Sequence, residues 1–455
     1  MATVRHLRTG DPLVARVLRT LAVAVTGALV VALAGAPMRP TARIDLYQDG
    51  VHVDGTGLLH ELPAGTAAVY HPGSRVLATA DDEASLAVAA EHRAWLAAGE
   101  TCGTGSDAEA VAQALLDIHA LVGAQIEGRE PHAPGAVVAG WEDRWRYVWP
   151  RDAAFVAVAL ARTGHWTDAV EILAFLADAT AEHGDTFAAR YLPTGDGVPD
   201  ARADQLDGAG WMLWAAASVL ADDATDDRVA LDDARRHLRP LLDRATGTLL
   251  AATADDGHLP PPSSDYWERV ETDLTLGTAA VALAGLEAAR ELAPVIGTRD
   301  ATAAGVRADL VREAVVDRFG PDFRRSGGSA FTDGRDAATA FLLPPIGSGT
   351  EGAEDAWLAS VADMSRVSGG VAPGATWRHD GISWTPETTL YALTAASAGE
   401  EELARELIDW TLEHRTASGA IPEKVLADGS PAAVAPLAWS AANLVLAVCA
   451  LDDHP

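Results

Sequence analysis

The feature that most constrains the fold is an alternation in connection length. From about residue 105, apolar residues recur at three- and four-residue spacing in about twelve segments, with Gly, Pro and Asp clusters between them. The segments start near Ala108, Asp152, Thr167, Gly208, Val229, Asp273, Asp300, Asp336, Glu354, Thr385, Glu400 and Pro436. Odd-to-even connections run to roughly 17 to 29 residues, whereas most even-to-odd ones are close to ordinary loop length. In an up-and-down helical array, every second connection emerges at the same end. The pattern therefore predicts an all-α domain over 105–455, closed into a toroid of six inner and six outer helices. Its long loops, and with them a site, gather at one mouth. No short exact repeat is present, which argues against a solenoid.

The chain upstream reads differently. Residues 40–104 hold short alternating stretches separated by turn residues and predict a small β-rich or linker segment. In residues 1–39, Arg5, Arg8, Arg16 and Arg19 precede an uncharged run from Thr20 to Met38. A one-sided basic flank before an apolar run predicts an export signal or signal-anchor helix, with the rest of the chain outside the membrane. Residues 20–38 would serve as the tether, and Ala32-Leu33-Ala34 offers a small-residue cleavage site. Two cysteines, Cys102 and Cys449, are too few for a disulfide framework or a zinc site. A single cross-link and two free thiols both remain compatible with them.

The long loops carry the chemistry. In the first, Pro150 suits the first turn of a helix and Asp152 its N-terminus, so Arg151 and Asp152 project at the mouth beside Trp145, Tyr147 and Trp149. A flat apolar face next to charged hydrogen-bonding groups suits a sugar ring; a capping aspartate with a surface arginine is the plainer alternative. The second loop brings Gln205, Asp207 and Trp211, an amide and a carboxylate able to orient hydroxyls. In the third, Trp267 sets an aromatic wall against Glu268, an environment that favours the neutral acid a proton donor requires. Arg269 opposes this unless its head points elsewhere. The fifth holds Trp377, Arg378, Asp380 and Trp384. The sixth places Glu423, followed by the sole lysine Lys424, well ahead of a helix that starts around Trp439. Two carboxylates in same-end loops are the arrangement that glycoside hydrolysis uses.

YVWPRDAAF, QLDGAGW, SDYWER, and PEKV with PLAWS, in that order over residues 105 to 453, resemble the signature stretches of glycoside hydrolase family 15, the glucoamylase family. The resemblance implies an (α/α)6 barrel and inverting, exo-acting hydrolysis of α-glucosidic bonds, with no cofactor or metal. It casts Glu268 as general acid and Glu423 as general base. Trp149, Arg151 and Asp152 match residues that grip the terminal sugar, while Gln205, Asp207, Trp267, Arg269 and Trp439 match pocket positions. The chain departs from the family in two ways. It has space for only a remnant of the N-terminal β-sandwich common in bacterial members. The arginine expected after a Gly-Gly-Val-like stretch has no clean counterpart in GGVAPGATWRHDG, Arg378 being displaced by several residues.

The formal net charge of −31 argues against nucleic acid and fits a neutral ligand or simple solubility; the carbohydrate partner is what the loops and the resemblance imply. Two alternatives stand beside hydrolysis. A phosphorylase on a similar barrel has no use for a base at Glu423. A non-catalytic glycan-binding envelope protein is the reading that the displaced arginine favours.

Overall fold

The computed structural model describes residues 43–453, apart from 127, 129 and 329–332. The expected export signal and its tether at 20–38 lie outside the described residues. Among the described residues, no helix is long and apolar enough to cross a membrane.

The main body is an (α/α)6 barrel. Its helices are α2 (Ser106–Leu121), α3 (Pro150–Arg162), α4 (Trp166–Thr180), α5 (Asp207–Val219), α6 (Arg228–Ala252), α7 (Leu276–Glu291) and α8 (Thr298–Phe319). A six-residue 3-10 helix (Ala337–Leu342) follows, then α9 (Ala353–Met364), α10 (Thr385–Ala398), α11 (Glu401–Glu413) and α12 (Ala438–Asp452). The inner ring runs α3, α5, α7, the 3-10 helix, α10 and α12, which returns to α3. Outside it, α4, α6, α8, α9 and α11 each back onto the inner element that precedes them, and α2 backs onto α12.

Composition separates the two rings. Helices α3, α5, α7, α10 and α12 are buried on nearly every face and are rich in Ala, Leu and Val. Helices α6 and α8 bury one stripe and turn arginines and aspartates to solvent. A helix apolar all round belongs in a core, and an amphipathic one at its edge. The inner ring also needs close approach. A Cβ on Gly210 of α5 would stand 2.3 Å from the Val281 carbonyl of α7, and one on Gly285 would stand 2.6 Å from the Gly210 Cα.

Upstream, β1 (Gln48–Val53) and β2 (Leu59–Pro63) form the antiparallel hairpin expected in the β-rich segment. That expectation needs correction, because α1 (Glu83–Ala98) occupies much of the rest. The Asp82 side chain caps it by accepting from the Ala84 and Ser85 N–H groups, and its Ala-rich sequence has too little periodicity to announce a helix. The segment is built into the barrel: Tyr47 N–H donates to Ala433 O at 2.8 Å, and the Thr416 hydroxyl donates to Asp49 O. The cysteines left open by the sequence are joined, Cys102 before α2 to Cys449 in α12.

Candidate active site

A cavity of about 330 Å³ opens among the long loops at one mouth. Its floor is the N-terminus of α3. Pro150 supplies the pre-set first turn, and Trp149 ahead of it stays extended, so Arg151 and Asp152 enter the cavity from the first turn. Arg151 Nη2 lies 3.0 Å from Asp152 Oδ2, both side chains being buried, and the guanidinium stacks 4.6 Å over the Trp439 ring. The first turns of α3 and α12 thus share one cation–π contact.

Glu268 sits on a strained turn. Its φ is 53°, a left-handed conformation uncommon outside glycine. Flanking residues hold that turn. Asp265 Oδ1 accepts from the Trp267 N–H at 3.0 Å and from Arg325 Nη2 at 2.9 Å, while its Oδ2 accepts from the Thr275 hydroxyl at 2.8 Å. Arg325 also pairs with Glu271 at 2.8 Å and Asp336 at 2.9 Å, and its guanidinium carbon lies 3.7 Å from the centroid of the Trp267 ring. So in SDYWERVE, Asp265 and Glu271 are anchors for a buried arginine, Trp267 is clamped beneath it, and Glu268 is left to face the cavity. Glu268 Oε2 accepts from Arg202 Nη1 at 2.8 Å, and Oε1 lies 3.6 Å from Arg151 Nη1. Burial lifts its carboxyl above the ordinary range, although Arg151 and Arg202 oppose the shift.

Glu423 arrives from the other side. A small antiparallel sheet of β3 (Ser383–Trp384), β4 (Lys424–Val425) and β5 (Pro431–Ala432) fixes its backbone. Thr385 N–H donates to Glu423 O at 3.1 Å, and Glu423 N–H donates to Val434 O at 2.8 Å. Lys424 is no surface partner: its ammonium is largely buried, 2.9 Å from Glu423 Oε2 and 4.2 Å over the Trp384 ring. Burial raises the Glu423 carboxyl, while Lys424 and a hydrogen bond with the Trp145 side chain pull it back. The charge of Asp152 acts upward on both Glu268 and Glu423, which places that carboxylate within electrostatic reach of each.

The walls are aromatic. Trp149, Trp267, Trp377, Trp384 and Trp439 all line the cavity, and the buried indole N–H of each has no protein partner. Arg151 Nε and Glu387 Oε2 are likewise buried without a hydrogen-bond partner, and Arg151 Nη1 and Asp152 Oδ2 have only ion-pair neighbours, Glu268 Oε1 and Arg151 Nη2. Buried polar groups are normally satisfied. This concentration of unmet donors and acceptors against flat apolar faces fits a hydroxyl-rich ring as the missing partner.

Of the residues singled out from sequence, Trp149, Arg151, Asp152, Trp267, Glu268, Glu423 and Trp439 are brought together in the lining. Gln205 and Asp207 stand behind it. The Gln205 side chain hydrogen-bonds Glu268, and buried Asp207 accepts from Trp211 Nε1 at 3.4 Å. Burial pushes the Asp207 carboxyl up to about 7, against the opposing charge of Arg151. Arg269 is not brought in: it is exposed and outside the lining, since the left-handed turn at Glu268 sends the next residue to solvent. Arg378, the candidate for the displaced arginine, is also exposed and outside it. Sequence reasoning missed Arg144, Arg190, Arg202 and Glu387, all of which line the cavity. Glu387 lies in the first turn of α10, where an acid reads as an ordinary dipole partner; burial lifts its carboxyl to about 8.

Fold and cavity together define an (α/α)6-barrel protein with a tryptophan-walled, carboxylate-bearing pocket at one mouth. Glycosidases and glucoamylases are among the solved structures that this chain resembles. A wild-type glycosidase matches with TM-score 0.60 and 21% identity, over 78% of this chain and 100% of that one. A bacterial glucoamylase complexed with acarbose matches with TM-score 0.60 and 15% identity, over 81% of this chain and 58% of that one. The glucoamylase of Saccharomycopsis fibuligera matches with TM-score 0.56 and 13% identity, over 78% of this chain and 97% of that one. No family model matches the chain, and no curated protein does.

Proposed function

We propose that this chain is an inverting, exo-acting glycoside hydrolase that releases terminal glucose from an α-glucan, an oligosaccharide or a trehalose-type substrate. One observation carries the reading: Glu268 and Glu423 enter a single tryptophan-walled cavity from different loops, with Arg151 and Asp152 at its floor. Arg151 and Asp152 hold the outer hydroxyls of the terminal sugar, which is stacked on indole faces, and so supply orientation. Glu268, raised by burial, protonates the oxygen of the leaving group. Glu423 takes a proton from a water, whose oxygen attacks the anomeric carbon from the opposite face as the glycosidic bond breaks. Lys424 helps keep Glu423 in the carboxylate form a base needs. The glucoamylase and glycosidase neighbours support this reading, and the acarbose complex belongs to one of them.

We place the protein outside the cell, tethered through residues 20–38 or released from them. The basic flank of that segment and the Cys102–Cys449 cross-link, which suits an oxidising compartment, support this. The test is to incubate the chain with maltose, maltooligosaccharides, isomaltose and trehalose and to follow the anomer of released glucose by NMR. β-Glucose appears first, and Glu268→Gln and Glu423→Gln each lower kcat by about two orders of magnitude or more. Sugar binding with no turnover in the parent protein would instead favour a glycan-binding envelope protein.

A further inference from the structure

The chain carries 34 basic residues against 65 acidic ones, yet four arginines line this one cavity. They are graded by depth. Side-chain exposure rises from 9% at Arg151 through 11% at Arg190 and 42% at Arg202 to 74% at Arg144. Arg151 belongs to the floor, where the terminal sugar sits. The other three line the same cavity, and Arg202 donates to Glu268, the group that must face the leaving-group oxygen if it protonates it. Arg190 also braces the aromatic wall, 4.3 Å over the Tyr147 ring and 5.1 Å over the Trp149 ring, but a neutral sugar gives no reason to set Arg144 and Arg202 at the same mouth.

Their ion pairs do not fully account for them. Arg190 and Arg202 share Asp200, at 2.5 and 3.3 Å, and Arg190 Nε is buried without a partner. Arg144 reaches Glu142 at 4.0 Å. Arg202 takes its second partner from the reaction itself, Glu268 Oε2 at 2.8 Å. Three positive groups thus face Glu142, Asp200 and Glu268. A general acid must be protonated to work, and that leaves one positive charge unmatched beside the leaving group.

We propose that this mouth receives a leaving group bearing an anionic substituent, a carboxylate or a phosphate, held by Arg144, Arg190 and Arg202. The proposal rests on the hydrolase reading above. Guanidinium groups pair with both anions through two parallel hydrogen bonds. When the substituent enters, Arg202 exchanges Glu268 Oε2 for a ligand oxygen, and Glu268, freed from its ion pair, takes a proton from solvent. Hydrolysis then proceeds as before: that proton passes to the leaving oxygen, the glycosidic bond breaks, and the water oxygen bonds the anomeric carbon. Binding of the correct leaving group and arming of the acid become one event.

The test compares matched pairs on the full chain at low salt: maltose with maltobionate, and trehalose with trehalose 6-phosphate. At least one anionic member has a kcat/KM about 10-fold or more above its neutral partner, as charge-assisted bonds of this kind would give. Which pair shows the preference names the anion, and added salt erodes it. Arg202→Gln and Arg190→Gln each shrink the anionic-to-neutral ratio. Arg144→Gln, at a solvent-exposed position, shrinks it without threatening the fold. Equal or lower values for both anionic members, or a preference surviving all three substitutions, overturn the proposal. If no member is cleaved, the hydrolase reading fails by itself. Calorimetry then decides the anion site: tighter, arginine-dependent binding of an anionic sugar upholds it, and equal affinities for each pair overturn it.

Discussion

Among single residues, Glu387 sets the clearest trade between stability and site chemistry. Its carboxyl is buried in the cavity wall with Oε2 unpartnered. Burial, with Glu423 adding to it and Arg151 opposing, lifts it from 4.5 to about 8. The unfolded chain loses this proton near 4.5 while the folded chain keeps it to about 8, so the folded state binds more protons in between. Stability due to this group is complete below the lower value and falls as pH rises through the window. Glutamine does not titrate. Glu387→Gln is therefore expected to gain stability relative to the parent as pH rises from 5 to 8, by about 1–3 kcal/mol in urea unfolding. A difference that stays constant over that range refutes the assignment. The same residue shows where sequence reading stops. Glu268 and Glu423 were legible because an adjacent tryptophan and a loop position marked them. Glu387, in Thr-Pro-Glu at a helix start, and Arg202, one of many loop arginines, carry no local mark. Only the convergence of their loops gives them a cavity.

At the scale of elements, the start of every predicted helix lies close to an observed one. The segment expected near Thr167 is α4 from Trp166, and that near Gly208 is α5 from Asp207. The start at Thr385 coincides with that of α10. Periodicity survives in sequence because burial of one face demands it. The segment at Asp336 formed a short 3-10 turn instead of a full α-helix, ending ahead of Pro344 and Pro345, which cannot continue a helix. What periodicity cannot give is how closely two helices approach. Gly210 reads as a weak helix residue, but α5 and α7 meet at it. Gly210→Ala is expected to cost about 3 kcal/mol or more, because the added methyl meets backbone that cannot yield. Gly247, on outer helix α6 with nothing within 4 Å of an added Cβ, is the control: Gly247→Ala stabilises by about 0.5–1 kcal/mol. Thermal melts of the two variants should shift in opposite directions.

On the scale of the whole molecule, ring closure joins the ends of the chain. Helix α12 packs against α3 on one side and α10 on the other, with α2 at its back, and Cys102–Cys449 locks the α2 approach to α12 across 347 residues. A cross-link closing so long a loop restricts the unfolded chain most, typically by about 2–4 kcal/mol. Cys102→Ser is expected to lower the melting temperature by several degrees while leaving kcat within about two-fold, since the bond lies away from the cavity lining. A large loss of activity in folded variant protein would show that closure tunes the site as well.

The sequence by itself determined the helical class, the alternation that puts the long loops at one mouth, and the two glutamates with their aromatic walls. Each of these is written in local spacing and in which residues neighbour which along the chain. The tertiary structure alone decided that Cys102 meets Cys449, that Arg325 rather than a neighbour in sequence clamps Trp267, and that Arg269 leaves the cavity while Arg190 and Arg202 enter it. Those outcomes depend on contacts between residues tens to hundreds of positions apart, and on a backbone turn at Glu268 whose strain only the packed surroundings sustain.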